Sequence, residues 1–244
     1  MNIALFRHVF VKHSSSHDAT RRRIAPPTNN RTMTATRPGV AYRLGRALFL
    51  SLTDVANATP LLRTRGPSFV MPPASGFVPL GDGGDATARE LVEAMDSFYD
   101  SIVIGSSGED DPGVVFAGYG EPLLRAETLC DAVGRIREKR HGIRLRVVTN
   151  GLVDASIAQK LYDVGVQTVS VNLASANPDE YQRLMAPVDG RSHADVLAFV
   201  EAAASAGMDV ECVTVQTPGV DIVQAKALAL ALGAVSFRTR EYFP

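Results

Sequence analysis

One stretch decides how the chain folds: Val114-Val115-Phe116-Ala117-Gly118-Tyr119-Gly120-Glu121-Pro122. Its first three residues are an apolar run that predicts a buried strand, and apolar residues at helical spacing from Leu129 to Ile136 predict a helix after the turn. Glycines in such a turn allow a positive φ or a close approach of the backbone to a ligand. Glu121 is then either a single solvated carboxylate or a functional group. The motif alone does not decide between these two interpretations, so the rest of the sequence is needed.

Composition excludes several classes of function. The chain has 244 residues of which 45% are hydrophobic, so it can build a sizeable core. A net charge of -1 gives no reason to expect a nucleic-acid partner, and no apolar run approaches the length that spans a bilayer. Cys130 and Cys212 lie far apart and predict neither a disulfide framework nor a CxxC metal site. We therefore expect a small-molecule ligand or a protein partner, in a reducing compartment.

The first 40 residues differ from the rest. They contain seven basic side chains against the single acidic residue Asp18, together with many serines and threonines. This composition is typical of an organellar transit peptide; the alternatives are a disordered tail, or upstream sequence translated in error with Met33 as the true start. We exclude residues 1–40 from the fold, assign the domain to residues 41–244, and expect a cytoplasmic location, or an organellar one if residues 1–40 act as a transit peptide.

Strands and helices alternate through the domain. The predicted strands are Ala47–Leu52, Val114–Phe116, Arg144–Thr149, Thr168–Leu173, Val210–Gln216 and Val235–Arg240. Amphipathic stripes at helical spacing lie between them, and four strands follow a glycine of the kind that ends a helix: Gly142, Gly165, Gly207 and Gly233. This alternation predicts a parallel sheet of six strands with five helices and right-handed crossovers. It does not separate a barrel from an open, doubly wound sheet.

Polar residues cluster after the strands. Glu121, Thr149-Asn150-Gly151 and Asn172 each follow or end a strand, whereas the turns before the strands carry mainly glycine. In (β/α) barrels the functional face lies at the carboxyl ends of the strands, so we expect Glu121 to lie on that face. Residues 54–85 form a long connection rich in proline and glycine, and connections of this length inside a domain are often functional.

These motifs resemble, in order and spacing, those of the radical S-adenosylmethionine (SAM) superfamily, and most closely the subgroup associated with TatD-type nucleases. The stretch around Gly118 is similar to the family's second-strand motif and Val147–Gly151 to its third-strand end. Val169–Ser175 resembles the fourth strand, Thr217–Asp221 the loop after the fifth, and Phe237–Arg240 the sixth. The resemblance covers roughly residues 41–242 and implies a partial (β/α)6 TIM-like barrel.

The resemblance also implies a SAM site. In the family, the glycine-glutamate motif meets the SAM amino group, the end of strand four meets the ribose or carboxylate, and the apolar end of strand five lies near adenine. Carried onto this chain, the predicted cofactor-binding residues are Gly118, Tyr119, Gly120, Glu121, Asn150, Ser170, Asn172 and Val215. Asn172 stands where the family leads us to expect serine.

One departure from the family concerns iron. The family holds a [4Fe–4S] cluster with a Cys-x3-Cys-x2-Cys loop after strand one, and here those three positions carry Ala56, Pro60 and Arg63. None of these side chains can replace a thiolate. Cys130 and Cys212 are predicted to be packing residues, as free cysteines usually are. We therefore expect no [4Fe–4S] cluster and no metal, and SAM binding that is weak because its iron anchor is missing.

Three hypotheses about function follow. The first is a degenerate radical-SAM-fold protein, a pseudoenzyme that binds a small ligand or a protein partner. The second is an enzyme of non-radical chemistry that uses Glu121 and Asp54 as acid and base, with Arg63 or Arg65 on an anionic substrate, although both arginines are also interpretable as solvated loop cations. The third is a radical enzyme whose cluster comes from another chain. Glu121 and Asp54 are candidates under the second hypothesis alone, and the catalytic residues stay unassigned.

Overall fold

A computed structural model describes residues 36–102 and 113–244. Most of the predicted N-terminal extension, residues 1–35, lies outside the described residues, as do residues 103–112. The described chain builds one seven-stranded sheet. Its strands are β1 (Ala41–Leu44), β2 (Ala47–Leu50), β3 (Val114–Phe116), β4 (Leu145–Thr149), β5 (Thr168–Asn172), β6 (Asp209–Val215) and β7 (Ser236–Arg240).

The strands lie side by side in the order of the sequence. Every neighbouring pair is parallel except β1 and β2, which are antiparallel. A doubly wound sheet reverses its strand order at a switch point. This sheet has no reversal, so the doubly wound alternative is excluded. The sheet is not closed, because β1 and β7 are both edge strands.

The six predicted parallel strands are confirmed, with ends that differ by no more than two residues. The prediction missed β1, which adds a seventh strand. That strand is only four residues long, has Arg43 in its middle, and is held by pairing with β2 rather than by an apolar run of its own.

Within the described residues six α-helices connect these strands, not the five that the alternation predicted. They are α1 (Ala88–Asp100), α2 (Ala126–Lys139), α3 (Ile157–Asp163), α4 (Pro178–Met185), α5 (His193–Ala206) and α6 (Ile222–Ala231). Two of them lie between β5 and β6. Asn177 caps α4, which ends at Ala186 in a left-handed conformation, and Ser192 with Asp195 forms a capping box that starts α5. These separate caps divide the connection into two helices.

The two faces of the sheet have different roles. One face packs against the helices through residues that are fully buried in a single core, including Leu50, Phe116, Val147, Val171 and Cys212. Because successive side chains of a strand alternate between faces, the neighbouring positions point the other way. Phe49, Val148, Ser170 and Val213 lie on that second face, where they line a cavity. The core therefore fixes which face of the sheet is available to a ligand.

The long connection, residues 54–85, lies over this second face. It contains three short 3-10 turns, at Arg63–Arg65, Pro73–Ser75 and Gly81–Gly83. Asp54 fixes its far end, because one carboxylate oxygen accepts a hydrogen bond of 2.9 Å from the Gly81 backbone amide. Thr87 then caps α1 through a capping box with Glu90. No helix in the described ranges is long and apolar enough to cross a bilayer.

Candidate functional site

The cavity that most of the predicted site residues line, called the main cavity for that reason, lies between the long connection and the second face of the sheet. It has a volume of about 320 Å³. Five of the predicted cofactor-binding residues line it, namely Gly118, Gly120, Ser170, Asn172 and Val215. Leu61, Leu62, Phe69 and Met71 of the connection form the opposite wall. The connection thus folds over the working face of the sheet and encloses a largely apolar space.

A second cavity of about 240 Å³ adjoins the first. The two share Thr64, Asn172 and Val215, so the end of β5 and the end of β6 separate them. Arg63 and Arg183 are the charged residues that line this second space. Asn172 stands between the two cavities, and its side-chain amide donates only to Met185 Sδ, a weak acceptor, over 3.4 Å. A ligand oxygen could therefore compete for that amide.

Glu121 does not line either cavity. Its side chain is buried, with 2% of the residue exposed, so the interpretation as a solvated carboxylate is wrong. One oxygen accepts from the Thr149 hydroxyl at 2.7 Å and from the Leu123 amide at 3.0 Å, and the other accepts from the Asn150 amide at 2.7 Å. The carboxyl group thus joins the turn after β3 to the end of β4, and its predicted role toward a SAM amine stays a prediction.

The environment of Glu121 contains opposing electrostatic effects. Burial removes the carboxylate from water and raises its pKa to about 7, while the three hydrogen-bond donors partly offset that rise. A carboxyl group with this pKa can exchange a proton near neutral pH, yet it has no contact with the space that a ligand would occupy. Its geometry therefore favours a structural role in holding the motif against β4.

The two glycines of the motif are required by packing within the protein. A Cβ on Gly120 would lie 2.3 Å from the Val55 carbonyl oxygen and 2.6 Å from the Thr53 carbonyl oxygen. The backbone amides of Gly120 and Glu121 donate to those same two carbonyls, at 3.1 and 2.9 Å. A Cβ on Gly118 would lie 2.7 Å from Ser51 Oγ. The glycines thus let the chain after β2 lie directly on the motif, as well as lining the cavity.

Asn150 belongs to a buried hydrogen-bond network with Asn57, which sequence reasoning missed. The Asn150 side chain donates to Asn57 Oδ1 at 2.8 Å, and Asn57 donates to the Leu152 carbonyl at 2.7 Å. This network fastens the start of the long connection to the end of β4. Asn57 carries no motif by which the sequence could have singled it out, since its partner lies 93 residues away.

The residues at the three cluster positions do not fit an iron–sulfur cluster. Ala56 and Pro60 offer no ligand atom, and the Arg63 guanidinium donates from Nε to the Tyr119 hydroxyl at 2.8 Å. A cation therefore contacts the glycine-glutamate motif at the third position where the sequence resemblance predicts a thiolate. Cys212 is buried in the helix-facing core and Cys130 lies on α2. Within residues 36–102 and 113–244, no group of three or more His, Cys, Asp or Glu side chains could hold a metal ion.

The acid and base of the enzymatic hypothesis do not meet in the cavity. Asp54 accepts a hydrogen bond from the Gly81 amide, and Glu121 accepts one from the Asn150 amide at the end of β4. Neither residue lines the cavity. Among the predicted arginines, Arg65 lines the main cavity and Arg63 the second one. Sequence reasoning missed Arg240, which also lines the main cavity. The sequence did place Arg240 at the carboxyl end of the last predicted strand, where site residues were expected. The β6–β7 register puts it on the same face as Val215.

The fold and this site define a class of protein. A family model described as the radical SAM superfamily matches residues 83–229, which is more than half of the chain. The protein therefore belongs to the radical SAM superfamily.

Particular relatives match over shorter stretches. The GTP 3',8-cyclase of Trichormus variabilis is 36% identical over 104 residues, covering 42% of this chain and 31% of the cyclase. The GTP 3',8-cyclase of a Nostoc species is 32% identical over 115 residues, covering 46% of this chain and 35% of the cyclase. The chain thus spans about a third of the length of these curated relatives.

Solved structures share the fold at low identity. Streptococcus suis SuiB bound to its precursor peptide SuiA superposes with a TM-score of 0.58 and 13% identity, covering 80% of this chain and 39% of SuiB. The structure of anSMEcpe with bound AdoMet gives 0.57 and 14%, covering 81% of this chain and 51% of that protein. These similarities establish the radical SAM type of α/β fold, which is known to accommodate SAM in such neighbours.

Proposed function

We propose that this protein is a radical-SAM-fold binding module that has lost radical catalysis. Its cavity takes a small organic ligand, with SAM as a weak one, and its sheet is the partial (β/α)6 barrel of the superfamily. The observation that carries the proposal is the pair of features around Tyr119. The cavity beside the motif is retained, while the third cluster position holds an arginine bonded to the Tyr119 hydroxyl.

The side chains at the three cluster positions are the reason for proposing that radical catalysis is lost. A bound [4Fe–4S] cluster would supply the electron that cleaves SAM reductively, and its iron would anchor the cofactor. Three thiolates are needed to hold it, and alanine, proline and a guanidinium replace all three. The enzymatic alternative has less support, because Glu121 and Asp54 are both engaged in hydrogen bonds outside the cavity.

Placement in the TatD-associated subgroup is part of the proposal and rests on the motifs alone. The curated relatives carry the name GTP 3',8-cyclase, and they match less than half of the chain. Their activity is therefore not transferred to this protein.

Anaerobic reconstitution tests the loss of the cluster. After incubation with ferrous iron and sulfide and removal of the excess, we expect the wild-type chain to retain far less than one cluster per molecule and no iron–sulfur absorbance. The triple variant Ala56→Cys, Pro60→Cys and Arg63→Cys restores the three thiolates and is expected to gain both signals. A stoichiometric cluster on the wild-type chain would overturn the proposal and favour a ligand set that includes another chain or other groups.

Calorimetry with SAM tests whether the cavity is the binding site. Val215 lines both cavities and is 5% exposed, so Val215→Trp places a large side chain in the space that a ligand needs. We expect weak SAM binding by the wild-type chain and an affinity at least about tenfold lower in this variant, equivalent to about 1.4 kcal/mol. Val223→Trp is the matched control, because Val223 is 78% exposed on α6.

The control should bind SAM as the wild-type chain does. Equal affinity in Val215→Trp would mean that SAM binds elsewhere, and no binding to the wild-type chain would remove SAM from the proposal. Glu121→Ala is unsuited to this comparison, since Glu121 holds three hydrogen-bond donors inside the fold.

A further inference from the structure

Arg65 and Arg240 bring two positive charges to one end of the main cavity. The Arg65 guanidinium packs against two aromatic rings that also contact each other, 4.5 Å from the centre of Phe69 and 5.3 Å from that of Phe243. Its Nε donates to the Glu241 carbonyl at 2.8 Å, which leaves the two terminal nitrogens of the fork for other acceptors. In the described part of the chain neither arginine forms a salt bridge. The side chain of Arg65 is thus held in place without a salt bridge, and the Glu241 carboxylate offsets its charge only in part.

More positive charge lies behind this pair on the same face of the sheet. Arg146 and Arg238 both pair with Glu211, the former at 3.5 Å. Together with Glu241 near Arg65, two carboxylates face four guanidinium groups, an excess of two positive charges. Burial lowers the pKa of Arg240, and Arg238 and Arg65 lower it further by repulsion. The cavity therefore has an uncompensated cationic end.

The rest of the cavity has the opposite character. Phe49, Leu61, Leu62, Val148 and Val213 supply apolar surface to the same cavity. A space of about 320 Å³ with an apolar body and a few convergent polar groups is the usual form of a small-molecule site. Arginine forks match the two oxygens of a carboxylate or the oxygens of a phosphate.

We propose that Arg65 and Arg240 bind the oxyanion of an organic anion, a carboxylate or a phosphate monoester, whose apolar body fills this cavity. The inference rests on the proposed function and specifies its ligand class. SAM combines a carboxylate, which these arginines could bind, with an ammonium and a sulfonium, which they repel. Its net positive charge makes it a poorer ligand for this cavity than an organic anion. Ser170 and Asn172 line the same space and supply further polar contacts.

Three matched small probes test the ligand class on the full chain: phenyl phosphate, phenylacetate and the neutral phenylacetamide. Titration followed by calorimetry or by NMR should show at least one anion binding about tenfold or more tightly than the amide, because hydrogen bonds between charged groups are stronger than those to a neutral amide. Whichever anion binds more tightly identifies the oxyanion as phosphate or carboxylate. Arg65→Gln and Arg240→Gln should each weaken that anion by about ten- to a hundredfold.

The control is Arg89→Gln, which removes the same charge from an exposed position on α1. It should leave anion binding unchanged, and thermal denaturation should show that all three variants are folded.

Equal affinity for the amide and both anions, unchanged anion binding in both cavity variants, or no anion binding at millimolar concentration would overturn the inference. If the amide binds and Val215→Trp abolishes that binding, the cavity is a ligand site and only the anion specificity is wrong. If Val215→Trp affects no ligand, the proposed function fails as well.

Discussion

Replacing Glu121 with alanine is expected to destabilise the fold by about 3 to 5 kcal/mol at pH 5. The substitution removes the acceptor of three hydrogen bonds, from the Leu123 amide, the Thr149 hydroxyl and the Asn150 amide. Because Glu121 is 2% exposed, water cannot replace these bonds without entering the core. Each buried donor left unpaired costs about 1 to 3 kcal/mol, and the space left by the side chain adds to that cost. Equilibrium unfolding in urea measures the difference.

The matched control for this experiment is Glu127→Ala. Glu127 lies in the first turn of α2, only six positions further along the chain, and its side chain is exposed. Exposed substitutions usually change stability by no more than about 0.5 kcal/mol. A similarly small effect of Glu121→Ala would contradict the structural role of the carboxyl group and would free it for a role toward a ligand.

Much of the fold could be predicted from the sequence because its determinants are local. Each parallel strand is a short apolar run, and three of the four predicted helix-ending glycines, Gly165, Gly207 and Gly233, have the positive φ that this position requires. Gly142 does not have a positive φ, and α2 ends earlier, at Lys139. β1 escaped prediction because its stability comes from pairing with β2, and pairing is not visible in a four-residue stretch.

The location of the candidate site was also predictable, whereas its contacts were not. Parallel strands bring their carboxyl ends to one edge of the sheet, so Gly118, Ser170, Asn172 and Val215 were expected to lie together, and they line one cavity. The direction of the Glu121 side chain depends on donors that lie 28 and 29 residues further along the chain. Likewise, the glycines of the motif meet the backbone of Thr53 and Val55, which their own sequence context does not reveal.

Arg240 also shows that contacts between residues distant in sequence escape prediction. The sequence placed Arg65 in the long connection and Arg240 in the last strand, and neither position predicts the other. Their meeting at one cavity requires the connection to fold back over the sheet. The fold-back is held by contacts between distant residues, among them the Phe243 amide donating to the Arg65 carbonyl at 2.7 Å. Charge convergence of this kind becomes visible only in three dimensions.

The stability of the protein is expected to carry a pH dependence that originates at Glu121. Burial raises the pKa of this carboxyl group to about 7 in the folded chain, whereas an unfolded glutamate titrates near its ordinary value of about 4.3. Between these two values the folded state keeps a proton that the unfolded state has released. The free energy of unfolding therefore falls as pH rises through this window, by about 4 kcal/mol in total, and the contribution is constant outside it.

Other groups titrate in the same range, so the measurement is a difference between two proteins. Glu121→Gln keeps the size of the side chain but cannot ionise, and urea unfolding of both chains at several pH values from 4 to about 8 isolates the contribution of the carboxyl group. We expect the stability of the wild-type chain, relative to Glu121→Gln, to decline toward neutral pH. The gap between wild type and Glu121→Ala should narrow over the same interval, because the buried carboxylate then bears its own desolvation cost. A wild-type chain that gains stability relative to Glu121→Gln as pH rises would show that the three donors outweigh burial and that Glu121 is ionised in the fold.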